Sequence, residues 1–137
     1  MGKEDLKCKE EPKRVFLKEC YLQKTNQFDA LKVIDDYNKK MAEKKNDKTN
    51  EEAVINPLGL GHDLTLCREE YDEKGCVFAM SGDKRIGIIS EDESKDIMKY
   101  LIAGWKRIFE CRISKVDEKG DENKRYSVAI FITPPNQ

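Results

Sequence analysis

The sequence predicts an α+β domain, mainly β: a small, partly open β-barrel of about six strands, with one capped helix and one helix inserted near the N-terminus. Three observations carry this. Short stretches rich in β-branched and aromatic residues alternate apolar with polar positions. Turn residues separate them, notably around Gly82 and Gly120. Two segments only switch to helical spacing, and the second of them opens on a capping box. Many short strands with few helices bury their apolar faces by curling into a barrel with helices at its mouth.

Each element follows from its own pattern. Residues 1–12 are polar and charged and end at Pro12, as a frayed terminus does. Lys13 to Leu22 reads as the first strand, with Val15, Leu17 and Tyr21 on one face and Phe16, Cys20 and Leu22 on the other. After Asn26, which can cap a helix start, Ala30, Val33, Ile34, Tyr37 and Met41 fall at helical spacing, and Asp29 suits the positive helix end. This helix is expected to fade in the polar run Glu43 to Glu52, a mobile loop, so that the insertion covers about residues 26–56. Asn56-Pro57, Gly59 and Gly61 punctuate the chain before three strands, Asp63 to Arg68, Cys76 to Ser81 and Arg85 to Ile89. Ser90 and Glu93 form the capping box of a helix that buries Ile97, Met98, Leu101 and Ile102 and closes at Gly104. Strands from Arg107 to Val116 and from Arg125 to Ile132 finish the domain, which Pro134-Pro135 ends.

Composition narrows the function. At 137 residues, 38% hydrophobic and 39% charged, the chain suits one modest core under a charged surface, a single domain over residues 13–133. The net charge of −1, balanced in both halves, argues against a general nucleic-acid coat protein, so any such contact must be local. No apolar run is long enough to cross a bilayer, and Met1-Gly2-Lys3-Glu4-Asp5 leads straight into charge, so a cytoplasmic location is expected. Cys8, Cys20, Cys67, Cys76 and Cys111 contain no C-x-x-C pair, and His62 is the single histidine, so no zinc site and no cofactor are expected. Four of these cysteines sit in apolar stretches, as reduced, buried thiols do.

Catalytic constellations fail in turn. His62 and Asp63 are adjacent, and on a strand adjacent residues face opposite ways. Glu69, Glu70, Asp72 and Glu73 lack the ligand order of a calcium loop and read as a solvated turn. Gly82 and Gly87 are isolated and form no phosphate loop. One pair stands out: Tyr71-Asp72, between two expected strands. A tyrosine at a barrel rim offers a flat face to a base, and an aspartate accepts a bond from a sugar hydroxyl. An ordinary Asx-type turn explains the same two residues.

In order, residues 59–132 carry Gly61, Leu64 and Leu66, Tyr71-Asp72, a strand from Gly75 to Phe78, Ile86-Gly87, a capped helix from Glu91, Gly104, and strands from Arg107 and Arg125. This order resembles the HIRAN domain family, modules at the N-terminus of some DNA-remodelling helicases and stand-alone bacterial proteins. The first strand matches the family's opening strand, and the helix after it replaces a short loop. The resemblance implies an OB- or SH3-like barrel that binds single-stranded DNA or a DNA 3′ end without catalysis, with Tyr71 and Asp72 as the matching contacts. Arg68 and Tyr21 are further candidates, and Lys84 and Arg85 are expected near the pair in the fold. This sequence departs from the family's pattern at three places. Arg68-Glu69-Glu70 stands where Pro and Asn precede the tyrosine, Glu19-Cys20 where a basic and an aromatic residue stand, and Ser90 is followed by Glu91, Asp92 and Glu93 where the DNA-end binder is basic. The rival expectation is a protein-interaction or regulatory module that uses the same rim or the inserted helix, with a helicase or nuclease as the natural partner.

Overall fold

Side-chain alternation along six strands sets the architecture. The computed structural model describes residues 14–46 and 56–133. The expected frayed terminus, most of the polar loop and Pro134-Pro135 lie outside the described residues. The elements are β1 (Val15–Gln23), α1 (Ala30–Asn46), β2 (Asp63–Tyr71), β3 (Lys74–Ser81), β4 (Lys84–Ile89), α2 (Glu91–Ile102), β5 (Phe109–Val116) and β6 (Tyr126–Ile132). Their order is the expected one: strand, helix, three strands, helix, two strands.

The strands form one antiparallel sheet that closes in a ring, in the order β1-β4-β3-β2-β5-β6 and back to β1. A partly open barrel was expected, and the ring instead closes. Two seams are short: β1 meets β4 at Leu22↔Ile89 and Gln23↔Ile88, and β2 meets β5 at Asp63↔Arg112 and Leu64↔Cys111. Closure leaves no described strand with an unpaired edge over its whole length.

A bulge in β1 corrects the facing of its side chains. Phe16 pairs with Phe131 and Lys18 with Ile130, so Leu17 is an extra residue. One extra residue reverses the alternation beyond it. Cys20 and Leu22 therefore point into the ring, Leu17 packs against the core, and Phe16 is exposed. The core inside the ring is Leu22, Leu64, Leu66, Val77, Ile86, Ile113, Val128 and Ile130, all buried.

Several strand ends also differ from expectation. β2 runs on to Tyr71 and β3 starts at Lys74, because the hairpin turns in two residues and its charged end needs no core. Arg107 lies in a 3-10 turn, Lys106–Ile108, and β5 begins at Phe109.

The helices use opposite strategies. Ser90 Oγ accepts from Glu93 N at 3.3 Å, which starts α2 as its capping box requires. Gly104 at φ 87° ends it, and Trp105 N donates to Tyr100 O at 2.8 Å. Ile97 is buried and Met98 and Leu101 pack on the core, but Ile102, the last residue of the helix, is 66% exposed. Lys18 Nζ fastens the helix to β1, donating to Glu93 O at 2.6 Å and Asp96 Oδ1 at 2.9 Å. In α1, Ala30 and Val33 are buried and Ile34 packs on the core, and the helix continues to Asn46, into the polar run. Asn26 does not cap it. A 3-10 turn, Thr25–Gln27, intervenes, and Asn26 Oδ1 accepts from Arg125 Nη1. Asp29 stands at the helix start, but its carboxylate accepts from Arg85 N at 2.9 Å. No helix among the described residues is long and apolar enough to cross a membrane.

Candidate functional site

The β2–β3 hairpin ends in a two-residue turn. Tyr71 pairs with Lys74, and Asp72 and Glu73 between them have φ 55° and 64°. Positive φ at both central residues is the backbone of a type I′ turn, whose twist matches that of the flanking strands. Tyr71 is thus the last strand residue rather than a loop residue, and Asp72 is a turn residue with an exposed side chain.

Tyr71 does not stand alone at the rim. Its ring meets Phe28 edge-to-face at 5.2 Å between centroids and Phe78 at 6.1 Å, and Phe28 meets Phe78 at 5.0 Å. The Tyr71 hydroxyl donates to Gln27 Oε1 at 3.1 Å. Lys24 Nζ lies over the ring, 5.1 Å from its centroid.

The segment from Lys24 to Phe28 reaches this place because two other regions hold it. Gly87 on β4 lets it approach: a Cβ there would stand 3.0 Å from Gln23 O, Leu22 Cβ and Thr25 Cγ2. The loop between β5 and β6 clasps it from the other side. Glu122 O accepts from both Thr25 N at 3.1 Å and Thr25 Oγ1 at 2.8 Å, and Asn123 Oδ1 accepts from Lys24 N at 2.9 Å. Thr25 is fully buried as a result.

Between the hairpin turn and the first turns of α2 runs a groove of about 640 Å³. Ile88, Ile89, Cys76 and Met98 give it an apolar floor, and Tyr71, Asp72, Gly75, Gln23, Ser90 and Ser94 line it. Its charged residues are Lys24, Lys74 and Lys95 against Asp72 and Glu91. The lining thus combines an aromatic ring, apolar surface, three ammonium groups, two carboxylates and the positive end of a helix.

Of the residues singled out in the sequence, Tyr71 and Asp72 meet at this groove. Arg68 lies beside it: a Cβ at Gly75 would stand 2.8 Å from Arg68 Nη2, so the guanidinium rests on the glycine. Tyr21 does not belong to it. It pairs with Ser127 on the outside of the ring and is 47% exposed. Arg85 is engaged elsewhere, its Nε 2.6 Å from Glu69 Oε1, and Lys84 does not line the groove. Glu91, the first of the three acids after Ser90, does line it.

Lys24, Lys74 and Lys95 were not singled out from the sequence, and Met98 was expected only as part of the buried face of α2. Lys95 and Met98 follow Glu91 at helical spacing, so their common flank was legible once Glu91 was chosen. Nothing local marks Lys24, which arrives through contacts with residues nearly a hundred positions away.

Nucleophilic chemistry is suppressed in the core. Burial, with Glu93 nearby, pushes the Cys20 thiol up to about 11, and burial pushes Cys111 higher still. Among the described residues no cluster of three metal-ligating side chains occurs. Compared with family models, curated proteins and solved structures, the chain matches none.

Proposed function

We propose that this chain is a HIRAN-like, OB-type module that binds the free end of a single-stranded nucleic acid, without catalysis, in the groove between the β2–β3 turn and α2. One observation supports this reading most. Tyr71 and Asp72, the contacts that the family resemblance implies, line the same groove as Lys24, Lys74 and Lys95. A base can lie against the aromatic wall, phosphates can approach the ammonium groups, and Asp72 can accept a hydrogen bond from a terminal sugar hydroxyl. Three lysines against two carboxylates neutralise few phosphates, so binding should depend only weakly on salt.

The test is a titration at low salt with labelled DNA whose 3′ ends are free or blocked. Free-ended strands should bind more tightly. Tyr71→Ala should weaken all single strands by roughly 1–3 kcal/mol, whereas Asp72→Asn should mainly erase the preference for a free end. If neither oligonucleotide binds below about millimolar, weaker than ordinary non-specific binding, the DNA reading fails and a protein partner takes its place. Binding that Tyr71→Ala leaves untouched would mean that the site lies elsewhere on the ring.

A further inference from the structure

The Tyr71 ring that a base would use already carries a cation. Phe28 and Phe78 hold Tyr71 edge-to-face, Gln27 holds its hydroxyl, and the Lys24 ammonium lies over the ring. Lys24 is itself held in an unusual backbone state, φ 57° in the left-handed region, which a non-glycine residue seldom adopts. The clasp to Asn123 fixes that state through the Lys24 N–H. Among the described residues no carboxylate lies within ion-pair distance of Lys24 Nζ. Among the described residues the Tyr71 ring is therefore the contact found for this charge, and a cation over a ring exchanges readily for an anion.

We infer that Lys24 is a specificity-determining cover, which makes the groove select strands that carry phosphate over uncharged ligands of the same shape. This rests on the nucleic-acid reading above. A base that approaches Tyr71 must displace the ammonium and lose its cation–π contact. A phosphodiester arriving with the base offers that ammonium a charge-assisted hydrogen bond, stronger than the ring contact it replaces. An uncharged analogue offers nothing in return. The flexible stem of Lys24 lets the head group move while the backbone and the 3-10 turn behind it stay clasped.

The experiment uses the full chain and two probes, a thymidine tetranucleotide with ordinary phosphodiesters and one with neutral methylphosphonate linkages. For the unaltered protein the charged probe should bind about tenfold more tightly, the gain of one charge-assisted bond. Lys24→Met keeps the stem and removes the charge. It should bind the neutral probe more tightly than the unaltered protein does, and the gap between probes should shrink to about threefold or less. Lys24→Arg should restore the gap. The inference is overturned if Lys24→Met leaves the gap unchanged, if it weakens both probes equally, or if Lys24→Arg loses the gap too. Should neither probe bind either protein, the nucleic-acid reading itself falls, and this inference with it.

Discussion

Two of the ring's hairpins, β2–β3 and β5–β6, are built differently. The β2–β3 hairpin is in register from Thr65↔Met80 to Tyr71↔Lys74 and turns in two residues, so its tip is fixed by its own strands. The β5–β6 hairpin is bulged between Ile113 and Lys115 and ends in a longer connection, residues 117–125. The first contributes side chains to the groove. The second lines none of it, yet it clasps Thr25 and Lys24 through Glu122 O and Asn123 Oδ1 and so places the groove's remaining wall. A short turn can present a site; a long loop can reach across and assemble one. Residues outside a groove thus decide its shape as much as those within it.

Three substitutions separate these contributions, taken from the largest effect downward. Phe78 is fully buried and touches both Phe28 and Tyr71, so it joins the hairpin to the clasped segment. Phe78→Ala should cost about 3–5 kcal/mol of stability in urea unfolding, as deletion of a buried aromatic does, and oligonucleotide binding should fall with it. A loss of under about 1 kcal/mol, the range of an exposed contact, would show that the hairpin tip needs no outside support. Thr25→Val removes one of the two hydrogen bonds to Glu122 O and leaves the backbone N–H to satisfy that carbonyl. The expected loss is about 1 kcal/mol, and faster hydrogen exchange at Thr25 and Lys24 but not at Tyr71 would confirm that the clasp acts on its own segment. Glu73→Gly is the smallest. Relief of a positive φ is largely offset by the entropy glycine loses on folding, leaving a gain of about 0.5 kcal/mol. Because Glu73 does not line the groove, affinity should not change. If it does, the turn's backbone is part of the site.

Much of the fold was legible because local chemistry marks it. Ser90 and Glu93 announce the start of α2, Gly104 its end, and period-two alternation the strands. The hairpin tip was misread in extent, since Arg68 to Lys74 is too charged to look like a strand that a core would select. Such a pair needs only its ladder of backbone hydrogen bonds and a turn of the right hand. Tyr71 and Asp72 were recognisable as a pair, and the groove they border was not.

By itself the sequence determined the kind and order of the elements, because capping, turn conformation and side-chain period act between residues a few positions apart. It also determined the choice of Tyr71-Asp72, through a linear order of short motifs. Only the tertiary structure decided that the sheet closes, that the Leu17 bulge turns Phe16 outward, that Glu69 engages Arg85, and that Lys24 covers the Tyr71 ring. Each of these depends on partners brought together by the fold. The bond from Thr25 Oγ1 to Glu122 O spans 97 positions of chain, and no local pattern carries information across that distance. Loop-closure entropy opposes such a contact, and it forms because the ring's buried core has already brought both ends close.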